Sequence, residues 1–280
     1  MKRIRVCGVQ FEPALCDIEA NLEEGAGWIE RCANEYGADL VVFPETVTTG
    51  FATGLAPRKL SALVDKIPGK TTGRICEAAR KHKVHVVWTT YEPAGDERVY
   101  NSAVLIEPTG EIKGVYRKIH PFPAEAEWTL PGNSVEVYKT DIGNIGMMIC
   151  FDGDFPELAR IMGKKKVQVI VRPSAFLRSF DTWLLTNSAR AYDSRAYLVG
   201  VNLIGRDGGD SYYYGHSMIL SPHGRRLAQG LCRPEIVHAD LTGKEFKYAS
   251  YGSSAGMPAD NIKGRNESAY GGLVDPRKEI

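Results

Sequence analysis

No apolar run in this 280-residue chain approaches the roughly 20 residues needed to cross a bilayer; the longest are of the Leu40-Val41-Val42-Phe43 and Val169-Ile170-Val171 kind. A membrane partner is therefore not expected. An excess of one charge is missing too, since 35 Lys and Arg against 34 Asp and Glu leave a formal net charge of +1. Phosphate neutralisation dominates nucleic-acid affinity and calls for a basic face. The basic clusters Lys164-Lys165-Lys166 and Arg225-Arg226 read instead as solvated helix-end or turn residues, so no nucleic-acid partner is expected. Cysteine is sparse: Cys7, Cys16, Cys32, Cys76, Cys150 and Cys232 lie far apart with no C-x-x-C pair. That excludes a dense disulfide framework and fits a reducing, cytoplasmic setting. Met1 to Val6 has basic residues but neither an apolar stretch nor a small-residue cleavage site, and reads as a first strand rather than a signal peptide. There is no H-E-x-x-H pattern, so His82 and His85 have no carboxylate partner in reach by sequence, and Gly205 to Gly209 lacks a dinucleotide fingerprint and reads as a loop.

What is present is an ordinary globular composition, 43% hydrophobic and 25% charged, enough to bury a sizeable core. Apolar periodicity predicts a strand at Ile4 to Phe11, a helix from Glu19 to Tyr36, a strand at Leu40 to Phe43 and a helix over Gly73 to His82. Strands follow at Val84 to Tyr91, Ala103 to Glu107 and Ile112 to Tyr116, the last two joined by the turn Pro108-Thr109-Gly110. The second half repeats the order. A strand at Asn144 to Cys150, a helix from Pro156, a strand at Val167 to Val171 and a helix over Thr182 to Ser194 precede strands at Leu198 to Leu203, Ser217 to Leu220 and Arg225 to Ala228. Two echoes support duplication: Val104 to Gly110 matches Met218 to Gly224, and Val41-Val42-Phe43-Pro44 parallels Ile170-Val171-Arg172-Pro173. Two such halves, each with helices on one face of its sheet, pack most simply sheet against sheet. The expected fold class is α/β, an internally duplicated four-layer α-β-β-α sandwich over residues 1–245; an open doubly wound sheet is the alternative. From residue 246 to 280 the chain turns to Gly, Ser, Asn and Pro, a tail that either frays or wraps over a partner subunit.

Three polar residues stand at strand ends. Cys150 closes Ile145-Gly146-Met147-Met148-Ile149 and is followed by Phe151-Asp152-Gly153-Asp154-Phe155-Pro156-Glu157, a strand, a tight turn and a helix start. Such an elbow presents a nucleophile, and a helix N-terminus nearby favours the thiolate; the other reading of Cys150 is a buried structural cysteine. Glu45 ends Leu40-Val41-Val42-Phe43-Pro44-Glu45, where a partly dehydrated carboxylate suits a general base, unless it is a solvated turn residue. Lys118, in Tyr116-Arg117-Lys118-Ile119-His120, would stabilise a developing oxyanion, unless it too is merely solvated.

Together Phe43-Pro44-Glu45, Tyr116 to His120 and Cys150 to Glu157 resemble the three signature segments of the nitrilase superfamily of carbon-nitrogen hydrolases, in the family's order and approximate spacing. The resemblance extends to Arg190-Ala191-Tyr192, Asn202 and Gly215-His216-Ser217-Met218-Ile219 and covers the chain to about residue 245. It implies a duplicated sandwich, no metal or organic cofactor, and a homodimer or higher homo-oligomer, with the tail and Tyr212-Tyr213-Tyr214 as contacts. It implies a catalytic Glu45, Lys118 and Cys150, with the Phe151 backbone N–H as second oxyanion donor. A second glutamate is placed on Glu125, with Glu127 competing. The segment after Cys150 looks most like that of aliphatic amidases and formamidases, which implies hydrolysis of a small linear amide through a cysteine thioester. The alternative is an N-carbamoyl amidohydrolase in which Arg172 or Arg178 clamps a substrate carboxylate. A true nitrilase fits less well, because Trp-Glu does not follow the cysteine, and a non-catalytic ligand-binding member would be inert. Tyr91, Trp128, Asp152, Arg172 and Phe176 are the candidate substrate contacts, with Trp183 a further pocket wall.

Overall fold

Side-chain alternation along the first strands sorts the apolar residues into two cores. In the computed structural model of the chain, which describes residues 1–209, 211–246 and 261–270, β1 (Ile4–Gln10) turns Ile4 and Val6 into one core and Cys7 and Val9 into the other. The same division holds in β2 (Leu40–Val42), β3 (His85–Gly95) and β4 (Arg98–Ile106): Leu40, Val42, Val87, Ala103 and Leu105 face one way, Val41, Val86, Trp88, Val104 and Ile106 the other. The second set is covered by α1 (Ile18–Tyr36) and α3 (Lys70–His82) through Leu22, Ile29, Cys32 and Ile75. The first set meets the second sheet.

That sheet is built from β6 (Val137–Thr140), β7 (Gly143–Met147), β8 (Val169–Ser174), β9 (Tyr197–Asn202), β12 (Met218–Leu220) and β13 (Arg226–Gln229). Its outer face is covered by α4 (Pro156–Lys164) and α5 (Phe180–Ser194), which bury Leu158, Met162, Trp183 and Ala191. The layers are thus α-β-β-α, as expected. With β5 (Ile112–Arg117) and β14 (Glu235–Leu241), the strand order in the first sheet is β14-β1-β2-β3-β4-β5, and in the second β13-β12-β9-β8-β7-β6. In each, three central strands run parallel and the outer ones antiparallel. The duplication therefore includes an outermost antiparallel strand per sheet, β6 beside β7 and β14 beside β1.

Several elements were not expected. α2 (Pro57–Leu63) is under two turns long and buries only Leu60, too little for a helical period to register. β6 is four residues at a sheet edge, and β14 mixes His238 and Asp240 into its apolar positions, as edge strands do. Ile204–Arg206 and Tyr212–Tyr214 form a two-stranded ribbon, β10 and β11, where a loop was expected. Of the tail, residues 247–260 and 271–280 lie outside the described residues. In the described stretch, Arg160 donates to the Asn261 carbonyl (3.3 Å) and Asn261 Nδ2 to the Tyr192 carbonyl (2.9 Å), so it touches this chain's own α4 and α5. No helix among the described residues is long and apolar enough to cross a membrane.

The fit of α1 to its sheet depends on Gly25. A Cβ there would meet the Trp88 ring at 2.6 Å, and Trp88 is fully buried with its Nε1 donating to Thr48 Oγ1 at 3.0 Å. Replacing a mid-helix glycine by alanine ordinarily stabilises by about 1 kcal/mol. Against an immobile indole, overpacking costing about 1–3 kcal/mol outweighs that. Gly25→Ala should therefore lower the urea midpoint, and a midpoint at or above wild type would contradict this packing.

Candidate active site

The residues singled out by sequence lie at the ends of strands from both sheets: Glu45 just past β2, Lys118 after β5, Cys150 after β7. The structure brings the first two into one buried cluster. Lys118 Nζ lies 2.7 Å from Glu45 Oε1 and 2.6 Å from Glu125 Oε1, with side-chain exposures of 1% for the lysine and 0% for both glutamates. Glu127 is exposed, so Glu125 is the second glutamate in contact with the lysine. Three further donors hold the carboxylates. Asn101 Nδ2 donates to Glu45 Oε1 (2.7 Å), the Ala175 N–H to Glu45 Oε2 (2.7 Å) and the Phe122 N–H to Glu125 Oε1 (3.0 Å). Burial opposes the charge on Lys118, but Glu125 and Glu45 outweigh it and leave the ammonium harder to deprotonate than an ordinary lysine. Burial pushes Glu125 up to about 7, against the opposing pull of Lys118. Lys118 is held from behind as well: its neighbour Arg117 grips the buried Glu92 through Nε (2.6 Å) and Nη2 (3.2 Å).

Cys150 sits at φ +44°, the left-handed region that an L-residue occupies only where its surroundings impose it. Its surroundings are two buried ionic residues. The Arg172 guanidinium clasps the Cys150 carbonyl through Nε (2.8 Å) and Nη2 (2.6 Å) and reaches Thr186 Oγ1 and Asn187 Oδ1 of α5 through Nη1, both at 2.8 Å. Gly153 makes this possible, since a Cβ there would lie 2.0 Å from Arg172 Cζ. The Asp152 carboxylate accepts from Tyr116 Oη (2.6 Å), the Ile149 N–H (2.9 Å) and the His120 N–H (2.9 Å), and His120 Nδ1 lies 3.0 Å away. Asp152 thus ties the cysteine turn to the segment that carries Lys118.

Two expectations are corrected here. Asp152 and Arg172, read as substrate contacts, are fully buried with their polar atoms directed at the backbone and at neighbouring side chains, and neither lines the pocket. The thiol is also not pre-ionised. Burial first, then Glu45, push the Cys150 pKa above its ordinary value, with Lys118, Arg172 and the Ala175 N–H opposing. The short turn at Cys150–Asp154 is no substitute for a helix dipole aimed at the sulfur. The Ala175 N–H bonds Glu45 Oε2 and also acts on Cys150, a neighbour that the carboxylate and the thiol share.

The pocket over Cys150 is lined by Phe51, Phe122, Phe151, Ala175, Phe176, Leu177 and Arg178. Of the expected contacts only Phe176 is among them. Tyr91 and Trp128 stand behind the wall: Tyr91 Oη donates to the Phe51 carbonyl (3.0 Å), Trp128 Nε1 to Tyr91 Oη (3.3 Å), and the Trp128 ring meets Phe51 edge-on at 6.2 Å. Trp183 is buried under Arg172, 5.0 Å from its guanidinium carbon. Sequence reasoning missed Phe51, Phe122, Ala175 and Asn101. For Asn101 a signal existed, an amide inside a strand that turns apolar from Ala103 onward. A backbone N–H such as that of Ala175 leaves none. Among the described residues no group of three His, Cys, Asp or Glu is disposed to hold a metal.

A family model described as carbon-nitrogen hydrolase matches residues 4–245. A formamidase of Bacillus cereus is 33% identical over 231 residues, 80% of this chain and 68% of that protein. The omega-amidase NIT2 of Xenopus tropicalis is 30% identical over 253 residues, 86% of this chain and 89% of that protein. Among solved structures, an amidase from Nesterenkonia sp. AN1 in complex with acrylamide matches with a TM-score of 0.83 over 97% of both chains at 22% identity, a likeness of fold.

Two outcomes follow from the geometry. Asp152→Asn leaves one acceptor oxygen and an NH2 facing donors, so stability should fall by about 2 kcal/mol in urea denaturation, with kcat lowered more than KM; wild-type values for both would contradict the tie. Because Glu125 loses its charge as pH falls through about 7, kcat/KM should decline on the acid side of that pH as Lys118 loses an anionic partner. A flat profile between about pH 6 and about pH 8 would contradict it.

Proposed function

Because this chain belongs to the carbon-nitrogen hydrolase family, and is thereby a hydrolase of carbon-nitrogen bonds, we propose that it cleaves a small, linear, neutral carboxylic amide to the acid and ammonia through a thioester on Cys150. The observation that carries this reading is the buried Glu45, Lys118 and Glu125 cluster set against a protonated cysteine under a wall of phenylalanines. Apolar walls with few polar groups suit a short acyl chain. The one ionic lining residue, Arg178, has its charge matched by Asp154 at 2.6 Å and lies over the Phe176 ring at 4.8 Å.

In this mechanism Glu45 takes the Cys150 proton and the sulfur adds to the amide carbon. Glu45 Oε1 accepts from Lys118 and Asn101 and Oε2 from the Ala175 N–H alone; in this reading Oε2, with the single donor, takes the thiol proton. Two of the three Lys118 N–H groups go to carboxylates, and the third, with the Phe151 backbone N–H, meets the oxyanion. Glu45 returns the proton to the departing nitrogen and ammonia leaves; a water deprotonated by Glu45 then adds to the thioester carbon, the C–S bond breaks to release the acid, and Glu45 gives the proton back to the Cys150 sulfur. Glu125 holds Lys118 throughout. An N-carbamoyl acid is the second reading, now resting on Arg178 alone, because Arg172 is committed to the Cys150 carbonyl. Cytoplasmic location, which rests on the sparse and scattered cysteines, and a homo-oligomeric state, which rests on the family resemblance, belong to the same reading.

Ammonia release should be measured across short amides, N-carbamoyl amino acids and nitriles, with intact-mass detection of acylated enzyme. Small amides should be the best substrates, and Cys150→Ala should lose at least about 10³-fold in turnover while its circular dichroism is unchanged. Full activity in that variant, or turnover of nitriles alone, would overturn the assignment. Inertness across the whole panel would favour a non-catalytic member.

A further inference from the structure

We infer that Asn101 is a positioning residue for the hydrolysis: its side-chain amide keeps Glu45 and Glu125 side by side as carboxylates and decides which oxygen of Glu45 serves as the base. The inference rests on the amidase reading above. Asn101 lies in the middle of β4, opposite Tyr91 of β3, and is 1% exposed. It touches every member of the ionic cluster. Nδ2 donates to Glu45 Oε1 at 2.7 Å and reaches Glu125 Oε2 at 3.4 Å, while its backbone carbonyl accepts the Lys118 N–H at 2.8 Å.

The need for such a group follows from charge. Two carboxylates around one ammonium leave a surplus negative charge in a site with little water, and like charges at this range resist ionising together. An ammonium in place of Asn101 would cancel the surplus but compete with Lys118 for Glu45, and another carboxylate would worsen the repulsion. A neutral amide with its positive end between the two glutamates lowers their repulsion without adding charge. The amide orientation is set by the same logic, because turning it over would press Oδ1 against carboxylate oxygens. The consequence is visible: Asn101 Oδ1 is buried without a hydrogen-bond partner. Asn101 and Lys118 together fill Glu45 Oε1, whereas Oε2 has a single donor, the Ala175 N–H, a group that also acts on Cys150.

The other ionisable groups near the cluster are Cys150, Arg172, and the phenols of Tyr91 from β3 and Tyr213 from β11. Burial drives both phenols further from ionisation, and Asp207 accepts from Tyr213 Oη. None of these competes for a proton in the neutral range.

The test uses the full chain with Asn101→Leu, which keeps the volume and removes the donor, and Asn101→Asp, which keeps the shape and reverses the polarity. Two pH profiles are read: kcat/KM for the best amide, and the rate of Cys150 alkylation by iodoacetamide from intact mass, which needs no turnover. Both variants should move the acid limb upward by about one unit, more in Asn101→Asp, and lower kcat about 10- to 100-fold with a smaller change in KM. A limb that stays in place while activity or thermal stability falls would reduce Asn101 to a packing role and overturn the inference. Should wild type prove inert toward every amide, the alkylation profile still decides: a shifted limb upholds the positioning role while the amidase reading fails, and an unshifted one sinks both. If Asn101→Leu does not fold, the isosteric Asn101→Asp carries the same comparison.

Discussion

The structure turns on one ammonium buried between two carboxylates. Lys118, Glu45 and Glu125 are all out of water, and removing that many charges from solvent costs more than their pairwise attraction returns unless each remaining lone pair is met by a donor. The donors come from far apart in the chain: Asn101 from β4, Phe122 from the loop after Lys118, and Ala175 from just past β8 in the second sheet. The ionic cluster is therefore complete only when the two halves of the sandwich have closed. A fold with sheets packed face to face supplies this, since the carboxyl ends of the parallel strands β2, β7 and β8 converge, and Glu45 even donates its own N–H to the Ser174 carbonyl across the junction at 3.4 Å.

The nucleophile side follows the same rule with opposite polarity. Cys150 is held in a left-handed backbone conformation, which costs of order 1–3 kcal/mol at a non-glycine position. Arg172 on its carbonyl and Asp152 on the preceding N–H oppose relaxation of that turn, one tying it to α5 and the other to the lysine segment. These two ionic residues thus convert chain strain into a fixed distance relation between nucleophile and ammonium. His120 adds to it by stacking on Phe155 at 3.6 Å, which seals the turn on its outer side.

Reading the chain without coordinates went furthest where chemistry sits at the end of a regular element. Glu45 and Cys150 each close an apolar run where a strand stops and Lys118 directly follows a strand, so their places at strand ends were legible, as were the layers. Direction was not legible. Asp152 and Arg172 are charged residues beside the presumed nucleophile, and nothing in a linear sequence distinguishes a side chain facing a pocket from one turned back onto the main chain. The pocket wall was equally hidden, because Phe51 and Phe122 lie on irregular segments whose path is set by tertiary hydrogen bonds such as Tyr91 to the Phe51 carbonyl. The expected low thiol pKa failed for a related reason: a helix start nearby was counted, and the burial of the sulfur, which outweighs it, could not be.

That raised thiol changes how the site is to be understood. A stored thiolate is reactive at all times and open to oxidation, whereas under the proposed mechanism a buried, protonated Cys150 becomes a nucleophile only when its proton moves to Glu45. Under the proposed mechanism that proton is not lost to solvent; it stays on the carboxylate and is the one the departing nitrogen needs. Keeping the thiol neutral at rest therefore serves both steps. The second glutamate and the lysine make the arrangement workable: Lys118 steadies Glu45 as an anion before proton transfer, and Glu125 keeps Lys118 charged after Glu45 has been neutralised. Under the proposed mechanism a single Glu–Lys pair would leave the ammonium without a carboxylate partner once Glu45 has taken the proton, and Glu125 fills that place.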